Sequence, residues 1–267
     1  MNEMNLLILA LIIFGISFAM TMTGRGGGNF YVLTLVLAGF SMYESASTGQ
    51  FILFVSAVFA TFIFGKKKRV EWKLVFVIGS LTALSAFFGG FFAHYFSGKS
   101  LKFVFSFFLL IAALSMLRSK EHKKSLSTRN EKGFWYLKSG EFQYRINLKI
   151  AIPIIIATGF GAGMVGVSGG SFLVPLMVLA CGVPMNIAVG TSTTMVAGTA
   201  FMGFVGHLVT GHFSFSTALP LAIAAAIGGL FGSSFALKTK PKILKTVFAF
   251  TTFLAAIIMV INAILSK

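Results

Sequence analysis

The chain has 267 residues, 57% hydrophobic and only 10% charged, with a mean hydropathy of +0.92. Soluble domains carry about a quarter charged residues, so this composition excludes an ordinary water-soluble fold and points to a polytopic membrane protein whose first partner is the lipid bilayer. The net charge of +16 would suggest nucleic acid in a soluble protein, but almost every Lys and Arg lies between apolar runs, as membrane topology requires, and no nucleic-acid partner is expected.

In chain order the apolar runs of the first half are Leu6–Met22, Asn29–Phe40, Ser45–Phe64, Leu74–Phe96 and Leu101–Leu117. Those of the second half are Ile150–Val165, Ser171–Ala180, Met185–Leu208, Ser214–Leu237 and Ile243–Leu265. A helix needs about 20 residues to cross the hydrocarbon core, and most runs meet or approach that length. Asn29–Phe40 and Ser171–Ala180 do not, and read as re-entrant half-helices or short spans. The predicted fold class is therefore all-α: a polytopic helical membrane protein of two homologous halves, each with about four full spans plus one short element. The first repeat covers 1–117 and the second 150–267. Between them lies a polar linker, 118–149, with nine Lys/Arg against three Glu, expected to be cytoplasmic in a multi-pass protein of the cell membrane and to tolerate change.

Each short element follows a glycine-rich break, and the two breaks lie 142 positions apart. Gly24, Gly27, Gly28, Phe30 and Val32 fall on Gly166, Gly169, Gly170, Phe172 and Val174. At a spacing of 143, Leu101, Lys102, Val104, Phe105 and Phe107 meet Leu244, Lys245, Val247, Phe248 and Phe250. Paired breaks in a duplicated membrane protein suggest a transporter with its site between the halves. Two arrangements fit. If the short elements cross, the repeats are inverted, and Lys66–Arg69, the linker and Lys238–Lys245 all share one side, as loop charge favours. If they are re-entrant, as their length favours, the repeats are parallel.

The polar inventory narrows the substrate. All six acidic residues are Glu and none lies in the middle of an apolar run, which tilts the reading away from a cation or proton carrier and toward an anionic or neutral substrate. A lone Cys181 excludes an intrachain disulfide, and no metal centre or cofactor is expected. The N-terminal run lacks a basic flank and cleavage site and reads as a retained span. At each break, amides freed from the helical ladder and the positive end of the following helix offer an anion site. The candidate substrate-binding residues are Gly27, Gly28, Gln50, Ser168, Gly169, Gly170, Thr191 and Ser192, with Arg25 as a cationic helper. Thr21, Thr23, Ser171, Ser47, Thr48, Thr193 and Thr194 are nearby hydroxyls that could equally bond back to their own helices. His94, His207 and His212 lie near span ends, where His is usually interfacial.

A rival reading attaches to Gly166-Val167-Ser168-Gly169: with His207 on another span it resembles an intramembrane serine protease of the rhomboid type. The first break carries Gly26 where Ser168 would fall, which a binding loop explains and a nucleophile does not. The chain is therefore read as a transporter rather than an enzyme.

Ser168-Gly169-Gly170, Val174-Pro175, Gly182-Val183-Pro184 and Ala188-Val189-Gly190-Thr191-Ser192, with the diverged Gly26-Gly27-Gly28 in the first half, resemble the sulfite exporter TauE/SafE family. The resemblance implies a carrier for small inorganic or organosulfur anions such as sulfite, sulfoacetate or thiosulfate, usually exported. A permease for another inorganic ion is the alternative. Transport direction, coupling ion and oligomeric state are not set by these residues.

Overall fold

The computed structural model describes residues 3–95, 134–139, 142–166, 169–208 and 213–265. The run Leu101–Leu117, most of the linker before Phe134, and the candidate Ser168 lie outside the described residues. The helices are α1 (Glu3–Thr21), α2 (Gly28–Leu37), α3 (Met42–Lys66) and α4 (Trp72–Phe92), the last with a π turn at Val75–Gly79. After a β-hairpin come α5 (Leu148–Val165), α6 (Gly170–Pro175, running into a π turn at Leu176–Ala180), α7 (Met185–Leu208), α8 (Phe215–Lys238) and α9 (Pro241–Leu265). Among the described residues six helices are long and apolar enough to span: α1, α3, α4, α5, α7 and α8. They are apolar on all sides, and large residues such as Phe76 and Phe231 face outward, as lipid allows. Polar caps mark two entries: Ser41 accepts the Glu44 N–H, and Asn147 accepts the Lys149 N–H.

Glycines set how the helices meet, because lipid gives no hydrophobic drive and close approach must supply the contact. A Cβ at Gly232 would strike the Phe18 carbonyl, and a Cβ at Gly89 would strike the Phe160 carbonyl. These pairs correspond at the spacings read from the sequence, so α1 packs on α8 as α5 packs on α4. The exchange continues inward, with α3 against α8 and α4 against α7, and α3 and α7 crossing at the centre.

Helix direction follows from the same contacts. Gly190, early in α7, faces Phe64, late in α3, while Gly203, late in α7, faces Gln50, early in α3, so these two helices are antiparallel. Gly228 and Gly232 meet Phe14 and Phe18, so α1 and α8 run parallel; Gly159 and Gly163 meet Thr82 and Ala86, so α4 and α5 do too. The chain therefore ascends twice on either side of each short element, and α2 and α6 bring it back. Lys66–Arg69 and Lys238–Lys245 share one end of the bundle, where Arg69, Asn186, Thr239 and Pro241 line a common cleft. That shared basic end is the grouping that loop charge favours.

One element was not anticipated. Phe134–Ser139 and Phe142–Asn147, inside the stretch read as a featureless linker, pair antiparallel as a hairpin. Tyr144 and Ile146 are buried against Leu74 and Ile78 of α4, Ala151 and Ile155 of α5, and Leu173 and Met177 beside α6. The high charge of the linker obscured this short alternation of apolar residues. Burial, with the nearby Glu71 carboxylate adding to it, pushes the Tyr144 phenol up to about 12 and keeps it neutral.

Candidate functional site

At the first break the chain leaves α1 with the Gly24 N–H on the Thr21 carbonyl at 3.1 Å and the Arg25 N–H on the Met20 carbonyl at 3.3 Å. Gly24 has φ 77°, and a Cβ there would lie 2.8 Å from the Val189 Cα, so both conformation and space demand glycine. At the second break Gly166 has φ 75°, and its Cβ would lie 2.5 Å from the Ala46 Cα. Each break thus rests on the central helix of the opposite half.

The breaks meet. A Cβ on Gly170, the first residue of α6, would be 2.6 Å from the Gly24 carbonyl oxygen and 2.8 Å from the Arg25 Cα. Gly26 and Gly170 both lie against the Val196 side chain, and Gly26 also against Leu53. Val196 and Leu53 sit near the midpoints of α7 and α3, so the contact is at mid-depth in the bundle. Among the described residues, the N–H groups of Gly26, Gly27, Gly28 and Asn29 at the start of α2 have no hydrogen-bond partner. The same holds for Gly170 and Ser171 at the start of α6. Among the described residues, two helix starts with unpartnered donors therefore lie close to one another.

Arg25 is 2% exposed. Its Nε donates to Ser171 Oγ at 2.9 Å, one terminal nitrogen donates to Thr251 Oγ1 at 3.0 Å, and the guanidinium lies 5.5 Å from the Phe248 ring centroid. Among the described residues no carboxylate pairs with it. A buried cation held by neutral groups leaves a site that an anion would balance. Other polar atoms of the bundle also lack a partner among the described residues: Thr21 Oγ1, both amide atoms of Asn29, Ser45 Oγ and Gln50 Oε1.

The other candidates divide. Ser192 Oγ donates to the Gly24 carbonyl at 2.8 Å and so belongs to the first break. Gln50 Nε2 donates to the Ala162 carbonyl at 3.2 Å, at the last turn before the second break. Gly169 caps α6 and Gly27 caps α2, next to Gly28. Thr191 is not brought to either break: its hydroxyl accepts the Glu71 N–H at 2.9 Å and anchors the start of α4. Thr193 and Thr194 bond back to Val189 and Gly190, and Thr23 to Met20. His207 Nε2 shares a 2.8 Å hydrogen bond with the Gly163 carbonyl. Sequence reasoning missed Phe248 and Thr251 of the last helix as Arg25 partners, because pairing between distant spans leaves no local pattern. Asn29 was the one legible omission, an amide at the head of an otherwise apolar run.

A family model described as sulfite exporter TauE/SafE matches residues 9–259. The chain is 26% identical over 240 residues to a probable membrane transporter protein of Bacillus subtilis, covering 83% of this chain and 85% of that one. It is 26% identical over 255 residues to a probable membrane transporter protein of Methanocaldococcus jannaschii, covering 90% and 89%. No solved structure matches.

Proposed function

The chain belongs to the sulfite exporter TauE/SafE family of membrane transporters, and from that membership we propose that it carries small sulfur-containing anions such as sulfite, sulfoacetate or thiosulfate across the cell membrane. The two repeats, 1–117 and 150–267, are inverted, and the basic end with the linker 118–149 faces the cytoplasm, where Lys and Arg accumulate. The anion sits where the breaks meet, held by the amides of Gly27, Gly28, Gly169 and Gly170, by Gln50, Ser168 and Ser192, and by Arg25.

The observation that carries this reading is the contact of Gly170 with Gly24 and Arg25 at mid-depth, with unpaired N–H donors on both sides and a buried arginine lacking a carboxylate. Neutral donors can hold an oxyanion without demanding a permanent counter-charge, and a single cation supplies the long-range attraction. The test is flux of labelled sulfite and thiosulfate in proteoliposomes containing the full chain. Saturable flux that competes with sulfoacetate is expected. Flux of chloride or phosphate with none of the sulfur anions would overturn the substrate assignment.

A further inference from the structure

We propose that the cleft at the basic end is the vestibule through which the anion reaches the paired breaks, with Arg69 as its outer binding cation and an apolar septum of Val189, Leu244 and Phe248 closing it. The proposal rests on the reading that the anion is held at the breaks. The cleft has a volume of about 120 Å³ and is lined by Phe64, Arg69, Asn186, Val189, Thr239 and Leu244 among others. It is formed where α3, α7, α8 and α9 converge.

Arg69 is fixed at its rim by its backbone, whose N–H donates to the Phe64 carbonyl at 2.9 Å and whose carbonyl abuts Gly190. Its guanidinium makes no hydrogen bond or ion pair among the described residues, and the residue as a whole is half-buried. A fixed, incompletely solvated arginine without a carboxylate attracts oxyanions.

The floor of the cleft is the roof of the first break. Val189 lines the cleft, and its backbone is the surface on which Gly24 rests. Along α9, Leu244 lines the cleft, Phe248 one turn further lies over Arg25, and Thr251 holds the Arg25 guanidinium. Val189, Leu244 and Phe248 belong to one buried cluster with Met22 and Val174. Two arginines therefore stand on either side of one thin apolar layer. A shift of α9 that withdraws Leu244 and Phe248 would join them, and the same shift would loosen Arg25 from Thr251. Opening of the vestibule and release of the inner cation toward the anion are thus one movement.

The experiment compares flux of labelled thiosulfate in two vesicle preparations, with the basic end facing the bath or facing the lumen. Arg69→Gln is expected to raise the half-saturating concentration about tenfold from the basic side, the effect of one charge-assisted contact, and to leave it unchanged from the opposite side. Arg69→Lys should recover most of the loss. No change, or the same change from both sides, overturns the vestibule. As a check that does not depend on Arg69, Asn186→Cys in a Cys181→Ser background is treated from the basic side with a bulky impermeant maleimide, washed and assayed. Labelling should stop flux; a cysteine that resists labelling, or a labelled carrier at full rate, overturns the proposal. Gly170→Leu, run alongside, separates the two claims. Normal flux in that variant refutes the site at the breaks, whereas its loss beside normal labelled Asn186→Cys and normal Arg69→Gln refutes the vestibule alone.

Discussion

The two breaks share a frame and differ in chemistry. In each, a left-handed glycine (Gly24 or Gly166) turns the chain back against the first turns of the opposite half's central helix, and a side chain of that helix bonds to a backbone carbonyl there. The first break continues into ten residues of regular helix and carries Arg25. The second has Val167 at the matching position, and its helix runs only from Gly170 to Pro175 before the π turn. The donor from the opposite half is a hydroxyl, Ser192, on one side and a longer amide, Gln50, on the other. The frame is shaped by packing, which only glycine satisfies, and so it repeats. The charge is not needed for packing, and it appears once.

The strongest way to break this comparison is to fill the contact that joins the two sides. Gly170→Leu should abolish transport at normal expression, because the added side chain meets the Gly24 carbonyl and the Arg25 backbone rather than a movable side chain. Undiminished flux in that variant would place the site elsewhere. The asymmetry of charge is tested next. Arg25→Gln should weaken anion binding by more than about tenfold, while Arg25→Lys should recover only part, since an ammonium cannot bridge Ser171 and Thr251 as the fork does. Equal anion affinity in the wild type and Arg25→Gln would show that the cation serves structure alone.

The shared frame makes a matched pair of forecasts. Gly89→Ala and Gly232→Ala should each destabilise the protein by about 1–3 kcal/mol, and by similar amounts, since each sets a methyl against a carbonyl of the partner helix. Thermal unfolding in detergent reads this, and a large effect at one position with none at the other would deny that the halves pack alike. The smallest effects concern single donors. Ser192→Ala should lower stability by about 0.6 kcal/mol, the usual scale for a hydrogen bond between membrane helices. Gln50→Leu should change stability less, because it also removes the unpartnered Oε1, yet still reduce flux. Ser168→Ala should likewise reduce flux without ending it, in contrast to loss of a nucleophile, which stops activity outright.

How much of this could be read in advance follows from what each feature depends on. The helices are nearly all legible, because crossing lipid demands long apolar runs that no other constraint produces. The breaks are legible because a positive φ and a close backbone approach both require glycine, twice. On the orientation of the two halves the sequence spoke both ways, loop charge favouring one arrangement and the shortness of α2 and α6 the other. Thr191 could not be separated from Ser192 by composition, because neighbours on a helix point about 100° apart and only the packing decides which meets the break. The hairpin was hidden by its charged surroundings.

Cross-packing of the halves also bears on how the protein is made. Ser17 of α1 hydrogen-bonds to Ser56 and to the Ala225 carbonyl, the second of these 208 positions further along the chain. At about 5–20 residues per second, the ribosome needs roughly 10–40 s to deliver α8 after α1 has entered the membrane. During that interval α1 presents a serine and a surface contoured for glycines to lipid or to whatever holds it in place. A nascent chain stopped before α8 would display that unfinished seam, a ready mark for membrane quality control, and completion of the seam would report that synthesis has passed α8.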